Sequence, residues 1–91
     1  MRFEWDPRKA ASNLSKHEVA FEEAATVFED PLFITLLDEE HSTDEERYIT
    51  VGVSHRGQTL LVAHADREDT IRIISARRAT KYEEEFYAEA E

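Results

Sequence analysis

Residues 47–76, RYITVGVSHRGQTLLVAHADREDTIRIISA, hold three apolar runs separated by two polar turns. In the first run Ile49, Val51 and Val53 alternate with Tyr48, Thr50 and Gly52, the period-two pattern of a strand. Arg56-Gly57 supplies a turn, and residues 58–66, QTLLVAHAD, read as the central strand. Arg67-Glu68-Asp69 turns the chain again, and residues 70–76 form the last strand. Successive strands joined by short turns make a β-meander, which is antiparallel.

Working outward, residues 33–37 form a further strand ahead of a loop at 38–46 that holds six acids and no Lys or Arg, so it is solvated. Upstream, Phe3-Glu4-Trp5 alternates as a short first strand. Asp6-Pro7 starts a helix over residues 7–16, with Asp as N-cap and Pro at the first helical position. Lys9, Asn13 and Lys16 fall on one stripe of it, with Ala10, Leu14 and His17 beside them. A second helix is expected over residues 22–29, with Phe21, Ala24, Ala25 and Phe28 as its apolar stripe and Asp30-Pro31 as its stop. Downstream, Thr80 and Glu83 form a capping box for a last helix over 81–90, packed through Tyr82, Phe86 and Tyr87. The order β-α-α-β-β-β-β-α implies an α+β domain: a small antiparallel sheet packed by helices on one face. Leu61 and Ala63 should be central in the sheet, with Phe21, Phe28 and Phe86 in the core.

At 91 residues the chain reads as one domain. It has no cysteine, which rules out disulfides and thiolate metal sites. No apolar run approaches the roughly 20 residues that span a bilayer, and the N-terminus lacks the apolar core of a signal peptide. The expectation is a cytoplasmic chain with no membrane partner. Its formal charge of −10 argues against non-specific polyanion binding but permits a focused basic cleft, or a basic partner.

The histidines do not pair at metal-ligand spacing, so neither metal nor cofactor is expected. His17 ends a helix and reads as a partner for its last carbonyls and its dipole. His64 follows Leu60 and Val62 on one face of the central strand. It reads either as a satisfied core imidazole or as an acid/base group at the sheet surface. Between Ile71 and Tyr82 the chain carries Arg72, Arg77, Arg78 and Lys81 and no acid. Arginine suits phosphate because its planar fork donates two parallel hydrogen bonds and keeps its proton. Strand alternation sends Arg72 and Arg77 to opposite faces unless a bulge or a bend near Ala76 brings them together. The alternative is that each simply pairs with one of the many acids.

Four stretches, FEWDPRKAASNLSKHEVAFEEAATVFEDP (3–31), HSTDEERYITVG (41–52), LLVAHADRE (60–68) and IRIISARRAT (71–80), carry a family resemblance. With Asn13-x-x-Lys16-His17 followed far downstream by Arg72-Ile-Ile-Ser-Ala-Arg77, the chain resembles the BrnT toxins of bacterial type II toxin–antitoxin systems across nearly its whole length. The resemblance implies a RelE/ParE-like fold over residues 1–91 and metal-independent RNA cleavage that inhibits translation. It also implies neutralisation by a BrnA-like ribbon-helix-helix antitoxin, in a heterotetramer that meets operator DNA only through the antitoxin. On that footing the 2′-hydroxyl of RNA attacks the adjacent phosphorus. Arg72 and Arg77 stabilise the charge that develops, His64 transfers protons, and Arg47, Arg78, Lys81, Lys9 and Lys16 hold the RNA. Two departures bear on this. Glu18 stands where the family usually has glycine, and the last helix is strongly acidic (Glu83, Glu84, Glu85, Glu89, Glu91). The acidity supports a second reading, a catalytically silent module of the same fold that only binds an antitoxin-like partner.

Overall fold

The computed structural model describes residues 1–90; Glu91, counted above among the acids of the last helix, lies outside them. Five strands and three helices follow the expected order: β1 Arg2–Glu4, α1 Pro7–His17, α2 Phe21–Thr26, β2 Ile34–Leu37, β3 Tyr48–Val53, β4 Thr59–Arg67, β5 Thr70–Arg78 and α3 Lys81–Glu89. The sheet order is β1-β5-β4-β3-β2. From β2 onward every pairing is antiparallel, with β4 in the centre, as the alternation predicts. β1 differs: it pairs with β5 in parallel. The chain leaves β1 at one edge of the sheet and returns at the other as β2, so α1 and α2 cross one face, here called the inner face.

The local chemistry of α1 explains its ends. The Asp6 carboxylate accepts from the Arg8 N–H at 2.8 Å, and Pro7 occupies the first turn. At the other end Glu18 adopts the left-handed conformation (φ 59°) and its N–H closes on Leu14 O. That conformation favours glycine, so Glu18 carries a steric cost there. The second helix is shorter than its apolar stripe suggests. Val27–Glu29 tightens into a 3₁₀ turn after the Thr26 hydroxyl bonds the Glu23 carbonyl at 2.6 Å.

The core lies between these helices and the inner face. Val19, Phe21, Ala24 and Val27 pack against Leu60, Val62, Ile71, Ile73 and Ala76, with Phe3, Trp5 and Phe28 flanking. Gly52 is needed where the 3₁₀ turn crosses β3, because a Cβ there would stand 2.8 Å from Val27 Cγ1. Asn13, polar and buried, holds α1 to the sheet. Its amide donates to Ala76 O (2.8 Å) and Val19 O (3.0 Å), and its carbonyl accepts from Ala76 N (3.0 Å).

The last helix departs from expectation. Leu36, Ile49, Val51, Leu61 and Arg77 share the outer face by register. With Tyr82 and Phe86 of α3 they line an open cavity of about 390 Å³. Phe86 is therefore not a core residue; it is 38% exposed. Helix α3 covers the outer face only partly, and its free surface is acidic. It is anchored at its start by the Thr80–Glu83 capping box and near its end by Tyr87, whose hydroxyl donates to Asp30 Oδ2.

Glu18→Gly is expected to raise stability. Relief of the left-handed strain exceeds the added freedom of the unfolded chain, for a net gain of about 0.5–1 kcal/mol. Removing a negative charge beside a helix C-terminus acts in the same direction. Thermal melting should show an increase of roughly 2–8 °C; an unchanged or lower midpoint would count against the strain argument.

Candidate functional site

Arg72 lies opposite Ala65 on β4, and Arg77 opposite Leu61. Ala63 pairs with Ser75 and His64 with Ile73, so Ile74 is an extra residue in β5, a β-bulge. The bulge reverses the alternation and sets Arg72 and Arg77 on the same outer face. The bend expected at Ala76 is absent, because Ala76 is held between Val62 and Asn13 and the strand runs on to Arg78. The two arginines do not converge. Four residues of β4 separate their partners, about 13 Å.

Each also has an acidic partner. Arg77 grips Glu83 through both ends of its fork, at 2.9 Å and 2.9 Å. That pairing pushes the Glu83 carboxyl down to about 2 and ties β5 to the first turn of α3. Arg72, more exposed, meets Glu4 at 3.4 Å. Around Arg72 the register gathers further cations on the outer face. Arg2 and Arg67 both lie opposite Thr70, on either side of it, and Arg47 stands one residue before the Tyr48–His64 pair. Arg47 and Arg67 line a shared depression with Thr43, Asp44 and Glu45. Arg67 lies 3.9 Å from Glu45, while the Arg47 guanidinium has no ion pair among the described residues.

The other expected RNA contacts scatter. Arg78 bonds Gln58 Oε1 at 2.6 Å at the far end of β5, and Lys81 is exposed at the start of α3. Lys9 and Lys16 do meet. With Ser12, His17, Ile74 and Ser75 they line a cavity of about 180 Å³ between α1 and the bulge. Reading the residues alone missed Arg2, Arg67 and His17. Arg67 looked like turn residue only, and His17 like a cap. His17 does stand in the last turn of α1, beside the helix dipole, but its ring makes no hydrogen bond to the last carbonyls among the described residues.

His64 is the satisfied core imidazole of the two alternatives. It is 1% exposed, with its ring 5.0 Å from Phe28 and stacked on Tyr48 at 5.8 Å. Nδ1 faces Asp66 Oδ1 at 2.6 Å and Nε2 faces Thr50 Oγ1 at 2.7 Å. A carboxylate can only accept, so Nδ1 carries the proton, Nε2 accepts from Thr50, and Thr50 in turn accepts from Thr35 (2.7 Å). Burial pushes the imidazole below its ordinary value, against the pull of Asp66. The ring is thus neutral and does not reach the arginine surface.

Acid should destabilise the fold in two stages. The unfolded chain takes up a proton at His64 below about pH 6.5 that the folded chain resists, so stability falls as pH drops through that range. Glu83 contributes fully above about 4.5, and that contribution is lost as pH falls toward about 2. Melting midpoints from pH 7.5 to 3 should decline accordingly. His64→Gln should flatten the upper limb and Glu83→Gln the lower; a midpoint that rises on acidification to pH 5.5 would refute the assignment.

No curated protein sequence matches the chain. The crystal structure of the Brucella abortus ribonuclease toxin BrnT superposes with a TM-score of 0.68 at 19% identity, over 89% of this chain and 99% of that one, which supports the fold. The family model described as the ribonuclease toxin BrnT of type II toxin–antitoxin systems matches residues 5–83. That span takes in α1, the whole sheet after β1 and the capping box of α3, and the chain belongs to the BrnT family of ribonuclease toxins of type II toxin–antitoxin systems.

Proposed function

We propose that the protein is a metal-independent ribonuclease that inhibits translation in the cytoplasm and is neutralised by a BrnA-like antitoxin. The observation that carries this reading is the outer-face cluster of Arg2, Arg47, Arg67 and Arg72, which the bulge at Ile74 completes in an otherwise acidic protein. RNA lies across this end of the face. Its phosphates displace the weakly held Glu4 and Glu45 from the arginines. The 2′-hydroxyl gives its proton to water and attacks the neighbouring phosphorus, the bond to the 5′-oxygen breaks, that oxygen takes a proton from water, and a 2′,3′-cyclic phosphate remains. Arg72 stabilises the charge on the phosphorane-like transition state, a contribution worth ~3 kcal/mol for a well-placed donor. Arg77, bound to Glu83, acts by fixing α3 against the sheet. His64 supports the strand beneath Ala65 and transfers no proton.

The antitoxin covers the same outer face. Leu36 is 50% exposed and Tyr82 78% exposed, beside the half-exposed Phe86, an apolar surface on the same face as the arginine cluster and bordered by Arg77. Such a patch suits a partner that buries apolar side chains and presents carboxylates to the arginines. Two such toxins on a ribbon-helix-helix antitoxin dimer make the heterotetramer, which meets operator DNA through the antitoxin.

Induction without antitoxin should arrest growth and cut RNA. Arg72→Ala should abolish both while moving the melting midpoint by less than about 3 °C, since an exposed pair contributes little. Arg77→Ala should lower the midpoint by roughly 4–8 °C, as expected for a loss of about 1 kcal/mol. A wild type that neither arrests growth nor cleaves RNA would leave the silent antitoxin-binding module as the function. Co-expression with the antitoxin should give one complex on size exclusion, and Leu36→Asp should dissociate it; separate peaks for the wild-type pair would defeat the docking assignment.

A further inference from the structure

Four surface depressions differ in charge. The cavity under α3 is apolar and includes Asp38, Glu39 and Glu83. The one beside Met1 is lined by Asp66, Glu68 and Asp69, and the one beside Arg47 mixes arginines with Asp44 and Glu45. The cavity between α1 and β5 alone of the four has cations, Lys9 and Lys16 beside His17, and no carboxylate. In a chain of net charge −10 that segregation needs a cause. Lys9 and Lys16 lie seven residues apart, two helical turns, so both stand over the same groove. Neither lysine nor His17 has an ion pair among the described residues, although acids outnumber bases 21 to 11.

The walls add neutral hydrogen-bonding groups of the right kind. Ser12 comes from α1, and the bulge brings Ser75 to the rim. Asn13 at the back has its amide committed to Ala76 and Val19, so it shapes the cavity and leaves the cations to meet a ligand. A volume of about 180 Å³ admits a phosphate group.

We propose that this cavity binds one phosphate group, with a phosphodiester of single-stranded RNA as its natural source. The RNA identity of the ligand rests on the ribonuclease reading above; the phosphate chemistry does not. Lys9 and Lys16 supply charge, while His17, Ser12 and Ser75 supply hydrogen bonds. Ser75 lies three residues from Arg72 along β5, about 10 Å. The cavity opens on the α1 side of β5 and Arg72 on the outer face, so a strand of RNA that fills both sites passes round the edge of β5. The bulge at Ile74 then serves both sites, opening the cavity on one side and turning Arg72 to the outer face on the other.

The test uses the whole chain and two probes: inorganic phosphate, and a 2′-O-methyl oligonucleotide that cannot be cleaved. Phosphate added to the wild type should move the His17 ring resonances to saturation, leaving those of His41 and His55 in place. The double variant Lys9→Gln/Lys16→Gln should lose that response and keep its melting midpoint, since both lysines are exposed. For the oligonucleotide, the slope of log affinity against log salt should fall by about 1.4, two cations at about 0.7 each for a single strand. No saturable response in the wild type, or an equal response in the double variant, would overturn the proposal as an adventitious ion only. An unchanged salt slope would overturn the RNA assignment of the cavity, while Arg72→Ala still reports on the ribonuclease reading. Saturable phosphate binding by a protein that neither binds nor cuts RNA would sink that reading and uphold the cavity.

Discussion

The amide of Asn13 holds the molecule together where its sheet would otherwise be open. β1 pairs with only three residues of β5, Thr70 to Arg72, so the rest of that strand faces an edge without a neighbour. Asn13 supplies one. Its carbonyl and amino groups bond the N–H and C=O of Ala76 as a passing strand would, and the second amino proton closes on Val19 at the turn into α2. Loss of this side chain would strand three backbone groups in the core, each at a cost of about 1–3 kcal/mol. The constraint also has a positional consequence. It clamps β5 just past the bulge and seats α1 over it, so Lys9, Lys16 and His17 stand beside Ser75 while Arg72 turns outward.

The remaining buried polar groups follow the same logic of complete pairing. Glu23 is 4% exposed, yet accepts from Ser54 Oγ at 2.7 Å and Gln58 Nε2 at 2.9 Å, with Arg56 3.9 Å away. It secures α2 to the β3–β4 turn. His64 links Asp66 to Thr50 and Thr35 across three strands. No buried side-chain nitrogen or oxygen among the described residues lacks a partner. With the interior satisfied, the arginines near Ala65 and the lysines of α1 stand at the surface.

The acids stand beside the arginines as well as away from them. Most of the acids lie on the loop before β3, the β4–β5 turn and α3. The strongest ion pair, Arg77 with Glu83, joins sheet to helix and holds its geometry with two bonds. The weaker contacts, Arg72 with Glu4 and Arg67 with Glu45, are long and exposed and contribute little.

Much of this was legible in the residues themselves. The alternation in residues 47–76, the Asp6-Pro7 start, the capping box at Thr80 and the stop at Asp30-Pro31 are local signals, set by backbone sterics and by hydrogen bonds within a few positions. They determined the order of elements, the α+β class and the antiparallel meander. The family motifs pointed to the same fold. What lay outside local reach was decided by contacts between distant segments. The parallel pairing of β1, the bulge at Ile74, the duty of Asn13, the burial of His64 and the outward placement of Phe86 all depend on partners up to 68 positions away, Arg72 and Glu4 being the extreme. A one-residue bulge reverses which face every later side chain takes. Alternation alone therefore could not say that Arg72 and Arg77 share a face, nor that Lys9 and Lys16 would meet Ser75, because side-chain direction in a sheet is fixed by register, and register is a property of two strands at once.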